Sequence, residues 1–241
     1  MRQFDVILWD VDGTLLDFTA AEKAAICGLF LEFGLGSCTE EMLKRYSAIN
    51  RKYWNRLERG EMTKPQILVG RFADFFSGEG MDPSLGERFN EAYQVRLGDT
   101  IVFRDHSKEL VTSLRGKLKQ YVVSNGTVIA QTKKLRRSGL DALMDGIFLS
   151  EQIGYEKPAK EFFDCVFHAL GEVDKDRVLI VGDSLTSDIL GGTYAGIKTC
   201  WYNPNGEVRD TAARVDFEIQ DLNEVLGILG FRYSAFGQNK E

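Results

Sequence analysis

Residues 4–14 of the 241-residue chain read FDVILWDVDGT. The segment begins with a short, mostly apolar run rich in residues that favour β-structure, and acidic residues end the run abruptly. Such a run is typical of a strand that is buried on both faces, as strands of parallel sheets are. Two carboxylates, Asp10 and Asp12, therefore stand at the carboxyl end of a predicted core strand.

Later segments repeat this pattern of a short apolar run that ends in polar residues and glycine. Residues 121–123 lead into Ser124, residues 178–181 lead into Gly182 and Asp183, and shorter strands are predicted over residues 146–149 and 197–201. Helical patterns separate the strands, over residues 107–118, 128–138, 159–170 and 187–195. This alternation predicts an α/β fold, a doubly wound parallel-sheet (Rossmann-like) core that binds ligands beyond the carboxyl ends of its strands.

Residues 17–98 have a different character, because their apolar residues recur at helical spacing almost throughout. Four helices are predicted, over residues 19–33, 39–57, 64–76 and 83–97, with glycines between them as stop signals. The sequence therefore predicts a four-helix cap over residues 17–98, inserted after the first strand of a core formed by residues 1–16 and 99–241. The last four residues, 238–241, are expected to form a frayed tail.

The composition excludes several function classes. The formal net charge of −6 and the pI of about 5.2 argue against a nucleic-acid polymer as partner, because an acidic chain repels a polyanion. The four cysteines lack paired spacing, which argues against a zinc knuckle and a disulfide framework. No apolar stretch is long enough to span a membrane, and a cytoplasmic location is expected. The sequence does not indicate an oligomeric state.

Asp10 and Asp12 are suited to shared chemistry. Residues two apart on an extended strand point to the same side, so the two carboxylates are expected to face one point in space. Two negative charges at so short a distance require a cation between them, or one of the two acids must hold a proton. A metal ion would neutralise Asp10, and Asp12 could then act as a general acid.

The other strand ends and loops supply complementary groups. Ser124 and Asn125 precede a predicted helix, where a hydroxyl and backbone N–H groups suit an anion. Lys157, which precedes a proline, could neutralise a transferring phosphoryl group. Asp183 and Asp188 could bind a metal ion or orient its waters. Each group alone is also explained as a cap, a turn or a solvated side chain, but their convergence at one sheet edge favours a catalytic site.

The set resembles the haloacid dehalogenase-like hydrolase superfamily, the HAD hydrolases. Its four motifs are matched by Asp10-Val11-Asp12-Gly13-Thr14, by Ser124, by Lys157 and by the stretch from Gly182 to Asp188. The predicted insert is similar to the small helical cap of the family.

The resemblance implies a phosphohydrolase that uses Mg²⁺. Asp10 would form an aspartyl phosphate, and Asp12 would protonate the leaving oxygen and then activate water. The implied metal ligands are Asp10, Asp12 through its backbone carbonyl, Asp183 and Asp188. The implied substrate-binding residues are Thr14, Ser124, Asn125 and Lys157.

The insert is similar to that of the bacterial nucleoside 5'-monophosphatases, which implies a nucleotide or another small phosphorylated metabolite as substrate. Tyr46, Asn50 and Trp54 recur every four residues, so Trp54 or Tyr46 could stack on a base and Asn50 could read its edge. The same stripe also fits the core of a helix bundle. The charge run at residues 133–137 is expected to be the solvated face of a helix.

Two alternatives remain at this point. A sugar phosphomutase of the same superfamily would keep both Asp10 and Asp12. A phospho-accepting, receiver-like signalling module also combines acids, a hydroxyl and a lysine at strand ends. Such modules are about half this length and have no counterpart to the helical insert.

Overall fold

The structure is a computed structural model that describes residues 3–209 and 213–231. Six strands form one parallel sheet in the order β3-β2-β1-β4-β5-β6. The strands are β1 (Val6–Trp9), β2 (Lys119–Ser124), β3 (Gly146–Leu149), β4 (Val178–Gly182), β5 (Lys198–Tyr202) and β6 (Phe217–Ile219). The predicted parallel α/β fold is therefore confirmed, and β6 is a strand that the sequence pattern did not indicate.

Strand β1 lies at the centre of the sheet, between β2 and β4. Its residues Ile7, Leu8 and Trp9 are fully buried. Hydrophobic clusters cover both faces of the sheet, because alternate residues of a strand point to opposite faces. A buried central strand therefore delivers Asp10 to the carboxyl edge of the sheet.

Four helices follow β1 in the chain: α1 (Phe18–Glu32), α2 (Glu40–Glu58), α3 (Lys64–Gly78) and α4 (Gly86–Arg96), the last preceded by a 3-10 turn at Pro83–Leu85. Capping residues mark the start of these helices. The Asp17 side chain accepts a hydrogen bond from the Ala20 N–H, and Thr63 and Gln66 form a capping box. Seven of the 15 buried residues in the cluster inside these helices are aromatic, and five of those are phenylalanines that pack against one another or against tyrosines.

The remaining helices flank the sheet: α5 (Ser107–Leu114), α6 (Val128–Ser138), α7 (Ser150–Ile153), α8 (Lys160–Leu170), α9 (Leu190–Ala195) and α10 (Val225–Ile228). The helix predicted over residues 107–118 ends earlier, because Gly116 takes a left-handed conformation. The helix predicted over residues 187–195 begins as a π-helical turn, Leu185–Ile189, in which Ser184 accepts from the Ser187 N–H.

The chain passes into and out of the helical insert at adjacent positions. The Asp17 N–H donates to the Val102 carbonyl, and the Arg104 N–H donates to the Leu15 carbonyl. Leu16 and Phe103 thereby form an antiparallel bridge. The domain limits at residues 16/17 and 98/99 stay a prediction.

Within the described ranges, no helix combines the length and the apolar character needed to cross a lipid bilayer. The predicted frayed tail at residues 238–241 lies outside the described residues.

Candidate active site

Four chain segments meet at the carboxyl edge of the sheet. Lys157, in the loop between α7 and α8, joins three of them through its ammonium group. Its Nζ donates to Asp10 Oδ1 at 2.8 Å, to Asp188 Oδ1 at 2.6 Å and to the Val123 carbonyl at 2.8 Å. Lys157 is only 1% exposed, so these contacts fix it as the buried cation of the cluster. The structure thus brings together the residues that the sequence predicted to converge.

Three carboxylates of this cluster suit a divalent cation. Asp10, Asp183 and Asp188 each offer one oxygen within 4.8 Å of the others. Asp10 Oδ2 is buried and has no hydrogen-bond partner, which is costly unless a further group binds there. Carboxylate oxygens are the ligands that Mg²⁺ prefers, so the donor set fits the predicted ion. The Asp12 side chain is outside this trio.

The charges of the cluster depend on one another. Burial raises the pKa of Asp10 to about 7, and the Asp188 carboxylate adds to the rise, against the lowering effect of Lys157. Burial lowers the pKa of Lys157, but Asp10 and Asp188 raise it, and the net result is a pKa above the ordinary value. The cluster therefore holds a permanent cation beside an Asp10 carboxyl that resists ionisation.

Two glycines allow the motifs to approach so closely. Gly13 has φ +95°, and a Cβ there would lie 2.3 Å from Asp183 Oδ2. A Cβ on Gly182 would lie 2.2 Å from Asp188 Oδ2. A side chain at either position would collide with a carboxylate of the candidate metal site.

The predicted phosphate-binding residues differ in their surroundings. Ser124 is buried, and its Oγ accepts from the Gly126 N–H at 3.1 Å. Asn125 uses both ends of its amide on the Lys157 backbone, donating to the carbonyl at 2.9 Å and accepting from the N–H at 2.8 Å. Thr14 is fully buried, and its Oγ1 accepts from the Asp183 N–H at 3.1 Å. In this structure Asn125 and Thr14 hold Lys157 and Asp183 in place; direct substrate contact by either stays a prediction.

Asp12 has partners on helix α6 that the sequence analysis missed. Lys134 Nζ lies 2.6 Å from Asp12 Oδ1, and Gln131 Nε2 donates to Asp12 Oδ2 at 2.5 Å. The ammonium group of Lys134 also lies 5.2 Å from the ring centroid of Phe18, at the start of α1. The expectation that residues 133–137 are all solvated was therefore wrong for Lys134. Gln131 and Lys134 are three residues apart, which places both side chains on one face of α6, towards Asp12.

A cavity of about 290 Å³ lies over the cluster, between the sheet edge and the insert. From the core it is lined by residues that include Asp10, Asp12, Ser124, Lys157, Asp183 and Asp188. From helices α1 and α2 it is lined by Phe18, Thr19, Glu22, Ser47, Asn50, Arg51, Trp54 and Glu58. Its volume is near the lower end of the range for small-ligand pockets. A small ligand bound here would contact both the acidic cluster and the helices above it.

The insert contacts the core on two sides of this cavity. Glu58 accepts a hydrogen bond from the Thr186 hydroxyl, next to Asp188, and burial raises the pKa of Glu58 to about 7. Lys64 Nζ donates to Ser150 Oγ at 2.6 Å and lies 3.2 Å from Glu156 Oε1. These contacts hold the insert against the sheet edge.

Two of the three residues that the sequence analysis proposed to face a base have their contacts inside the insert instead. Tyr46 is fully buried and stacks on Phe72, with ring centroids 4.8 Å apart, so it belongs to the bundle core. Asn50 donates to Glu22 and accepts from Arg71, so its amide is committed inside the insert. Trp54 remains: it is half-buried and lines the cavity.

A line of buried hydrogen bonds runs from the cavity wall through the insert. Arg71 Nη1 donates to Asn50 at 2.7 Å, and Arg71 Nη2 donates to Asn90 at 3.1 Å. Gln94 donates to the same Asn90 oxygen at 2.9 Å and accepts from Thr127 at 2.7 Å. Since Thr127 caps α6, this line connects all four helices of the insert to the helix that carries Gln131 and Lys134.

The sequence matches a known family over most of its length. The profile of the haloacid dehalogenase-like hydrolase family matches residues 4–196. A HAD-hydrolase of Bacillus subtilis, YfnB, is 35% identical over 229 residues, which cover 95% of this chain and 97% of YfnB. The crystal structure of YfnB bound to magnesium superposes with a TM-score of 0.89, covering 95% of this chain and 100% of that one.

Two further relatives carry a named activity. The pyrimidine 5'-nucleotidase PynA of Streptococcus pneumoniae is 32% identical, and the alignment covers 94% of this chain and 95% of PynA. The pyrimidine 5'-nucleotidase YjjG of Escherichia coli is 30% identical, with 94% of this chain and 98% of YjjG covered.

Proposed function

This chain belongs to the haloacid dehalogenase-like hydrolase family, and from that premise we propose that it is a magnesium-dependent phosphatase of pyrimidine nucleoside 5'-monophosphates. The observation that carries the proposal is the unpartnered, buried Asp10 Oδ2 beside the Lys157 ammonium group, in the cavity between the sheet edge and the insert. The choice of nucleotide is supported by the two pyrimidine 5'-nucleotidases among the relatives.

In the first half of the proposed reaction, an Asp10 carboxylate oxygen attacks phosphorus in line with the ester oxygen. The phosphorus–ester oxygen bond breaks as the new bond to Asp10 forms, and Asp12 gives its proton to the leaving nucleoside oxygen. Lys157, held between Asp10 and Asp188, offsets negative charge on the phosphoryl oxygens. Ser124, buried at the end of β2, supplies a hydroxyl to the same oxygens.

In the second half, water attacks the phosphorus of the aspartyl phosphate. Asp12, now ionised, accepts the proton of the water, and the bond between Asp10 and phosphorus breaks, which releases inorganic phosphate and restores Asp10. The ion pair with Lys134 holds the Asp12 carboxylate in position for this proton transfer.

Mg²⁺ would be held by Asp10 and Asp183, by the Asp12 backbone carbonyl, and with assistance from Asp188. When bound, it would neutralise charge on the transferring phosphoryl group and on the carboxylates around it.

The proposal is tested by release of phosphate from uridine 5'-monophosphate (UMP) and from p-nitrophenyl phosphate. We expect turnover that requires Mg²⁺, and we expect Asp10→Asn to lower kcat by about 10³-fold or more, because the amide is a poor nucleophile. A folded wild-type enzyme that releases no phosphate from any nucleotide with Mg²⁺ would contradict the nucleotidase proposal. Product analysis with sugar phosphates separates it from a phosphomutase, which would return a phosphorylated isomer.

A further inference from the structure

The cavity wall contributed by helices α1 and α2 carries a buried carboxylate that the proposed hydrolysis does not use. Glu22 is only 4% exposed, and it lines the same cavity as Asp10. Ser47 donates to its Oε2 at 2.5 Å and Asn50 donates to its Oε1 at 3.0 Å. Among residues 3–209 and 213–231, no cation lies within ion-pair distance of it. The positive charges of Arg71 and Arg51 act on it from beyond that distance, so its buried charge is only partly offset and a donor from a ligand would offset it further.

Arg51, one turn of α2 from Ser47, is the second uncommitted group on this wall. It lines the cavity and is exposed, and its positive charge acts on the Glu22 carboxyl, though less strongly than that of Arg71. In the described part of the chain its guanidinium group has neither a hydrogen bond nor an ion pair. The insert's wall of the cavity therefore presents both an acceptor and a set of donors, whereas the phosphate-binding cluster lines the cavity from the core.

The chemical complement of this pair is an N–H donor next to a carbonyl acceptor. The imide edge of uracil and thymine has this form, since its ring N–H lies between two carbonyl groups. A sugar hydroxyl both donates and accepts, so either group alone would satisfy it. Trp54 and Phe18 line the same cavity and offer aromatic faces to a planar ring.

Building on the proposed nucleotidase function, we infer that Glu22 and Arg51 recognise the imide edge of the base. The Glu22 carboxylate accepts the ring N–H, and the Arg51 guanidinium group donates to a neighbouring carbonyl oxygen. Asn50 and Ser47 act as positioning residues, because they hold the Glu22 carboxylate.

The test compares UMP with 3-methyluridine 5'-monophosphate, which lacks the ring N–H, and with p-nitrophenyl phosphate, which has no base. For the wild type we expect kcat/KM to be about 10- to 100-fold lower with the methylated nucleotide, because the hydrogen bond to a charged acceptor is lost. For Glu22→Gln we expect a similar loss with UMP but little further loss on methylation. The activity of Glu22→Gln on p-nitrophenyl phosphate should stay within about 3-fold of wild type, since no base is bound.

Arg51→Met is a second variant that separates base recognition from a folding defect, because Arg51 is exposed and has no hydrogen bond or ion pair to lose within the described ranges. We expect it to lower kcat/KM for UMP about 10-fold and to spare p-nitrophenyl phosphate. Lys52→Met is the matched control, because Lys52 is the next residue of α2 and does not line the cavity.

Turnover of UMP by the wild type tests the proposed function, whereas the pattern across the three substrates tests Glu22 and Arg51. Equal losses for all three substrates in both variants, or a wild type that does not distinguish UMP from its methylated form, would overturn the inference while leaving the phosphatase in place.

Discussion

The Lys134 ammonium group is almost completely buried, and its contacts join three parts of the molecule. It pairs with Asp12 after β1, lies over the ring of Phe18 at the start of the insert, and belongs to α6 of the core. Its position fixes the orientation of the Asp12 carboxylate. Lys134 is a positioning residue in the proposed reaction, because it acts through Asp12 and not on the ester.

Replacing this lysine should affect turnover more than binding. We expect Lys134→Met to lower kcat on UMP about 10- to 100-fold and to change KM less than about 3-fold, since a misplaced proton-transfer group slows the chemical step. Steady-state kinetics with the purified variants measure both constants. Lys134→Arg should recover part of kcat, because it keeps the charge.

Lys133→Met is the matched control, because Lys133 pairs with Asp99 on the partly exposed side of the same helix. If Lys133→Met and Lys134→Met have the same kinetic effect, Lys134 has no special relation to Asp12.

The sequence predicts some of the site residues and not others. Asp10, Asp183 and Lys157 were predictable, because strand ends of a parallel sheet converge and their motifs mark those ends. Lys134 was not, because a run of charges on a helix does not reveal which member turns inward. That depends on where Asp12 lies in three dimensions.

Among the elements, helices α2 and α3 each supply a polar contact between the insert and the core, Glu58 with Thr186 and Lys64 with Ser150. Lys64, near the start of α3, is 7% exposed and contacts Ser150 and Glu156. Burial lowers the pKa of Lys64, against the raising effect of Glu156. The ammonium group is therefore held in the interface by the partners that it would lose if the insert moved away.

Removing this contact should lower stability. We expect Lys64→Met to reduce the free energy of unfolding by about 1–3 kcal/mol, because Ser150 and the partly buried Glu156 lose their partner. Urea unfolding followed by circular dichroism measures the change. The exposed pair of Lys160 and Asp164 serves as control, and Lys160→Met should cost less than about 0.5 kcal/mol. Equal costs would show that the Lys64 contact contributes no more than a surface pair.

The elements themselves were predictable where the periodicity was long. Helices α1 to α4 and the strands β1 to β5 lie close to their predicted ranges. β6 has only three residues, too few for an alternation to show. The π-helical turn at Leu185–Ile189 depends on the Ser184 cap and on Asp188 folding back to the Ser184 N–H, neither of which periodicity reveals.

For the molecule as a whole, the predicted family and fold class are confirmed, as is an enzyme of the hydrolase class. The predicted domain limits and site roles stay predictions. The overall composition does not show that buried carboxyl groups lie together where the insert meets the sheet edge. Asp10 and Glu58 both have a pKa raised to about 7 by burial there.

This arrangement makes stability depend on pH. The Glu58 pKa is about 7 in the native state and 4.5 ordinarily, so the native state binds more protons between these values. Stability from this group is therefore present at low pH and is lost as pH rises through the window. We expect the melting temperature of metal-free Glu58→Gln to exceed that of the wild type by about 2–4 °C near pH 8. The difference should vanish near pH 4.

Differential scanning calorimetry of both proteins across this pH range, in the presence of a chelator, measures the effect. Glu61→Gln is the control, because Glu61 is exposed and its pKa is lowered by its pair with Arg59, so its contribution is complete above about pH 5 and its effect should be constant from there to pH 8. A Glu58 difference that stays constant from acid to alkaline pH would contradict the assignment.

The line of hydrogen bonds from Glu22 through Asn50 and Arg71 to Asn90 bears on how this enzyme could acquire new preferences. Any replacement of Glu22 by an apolar residue strands the Asn50 amide and removes a negative charge near the buried guanidinium group of Arg71. Laboratory evolution towards another base should therefore require paired changes, one on α1 and one on α2. A single apolar replacement of Glu22 should destabilise the protein so much that it is eliminated before any change in base selectivity can be selected.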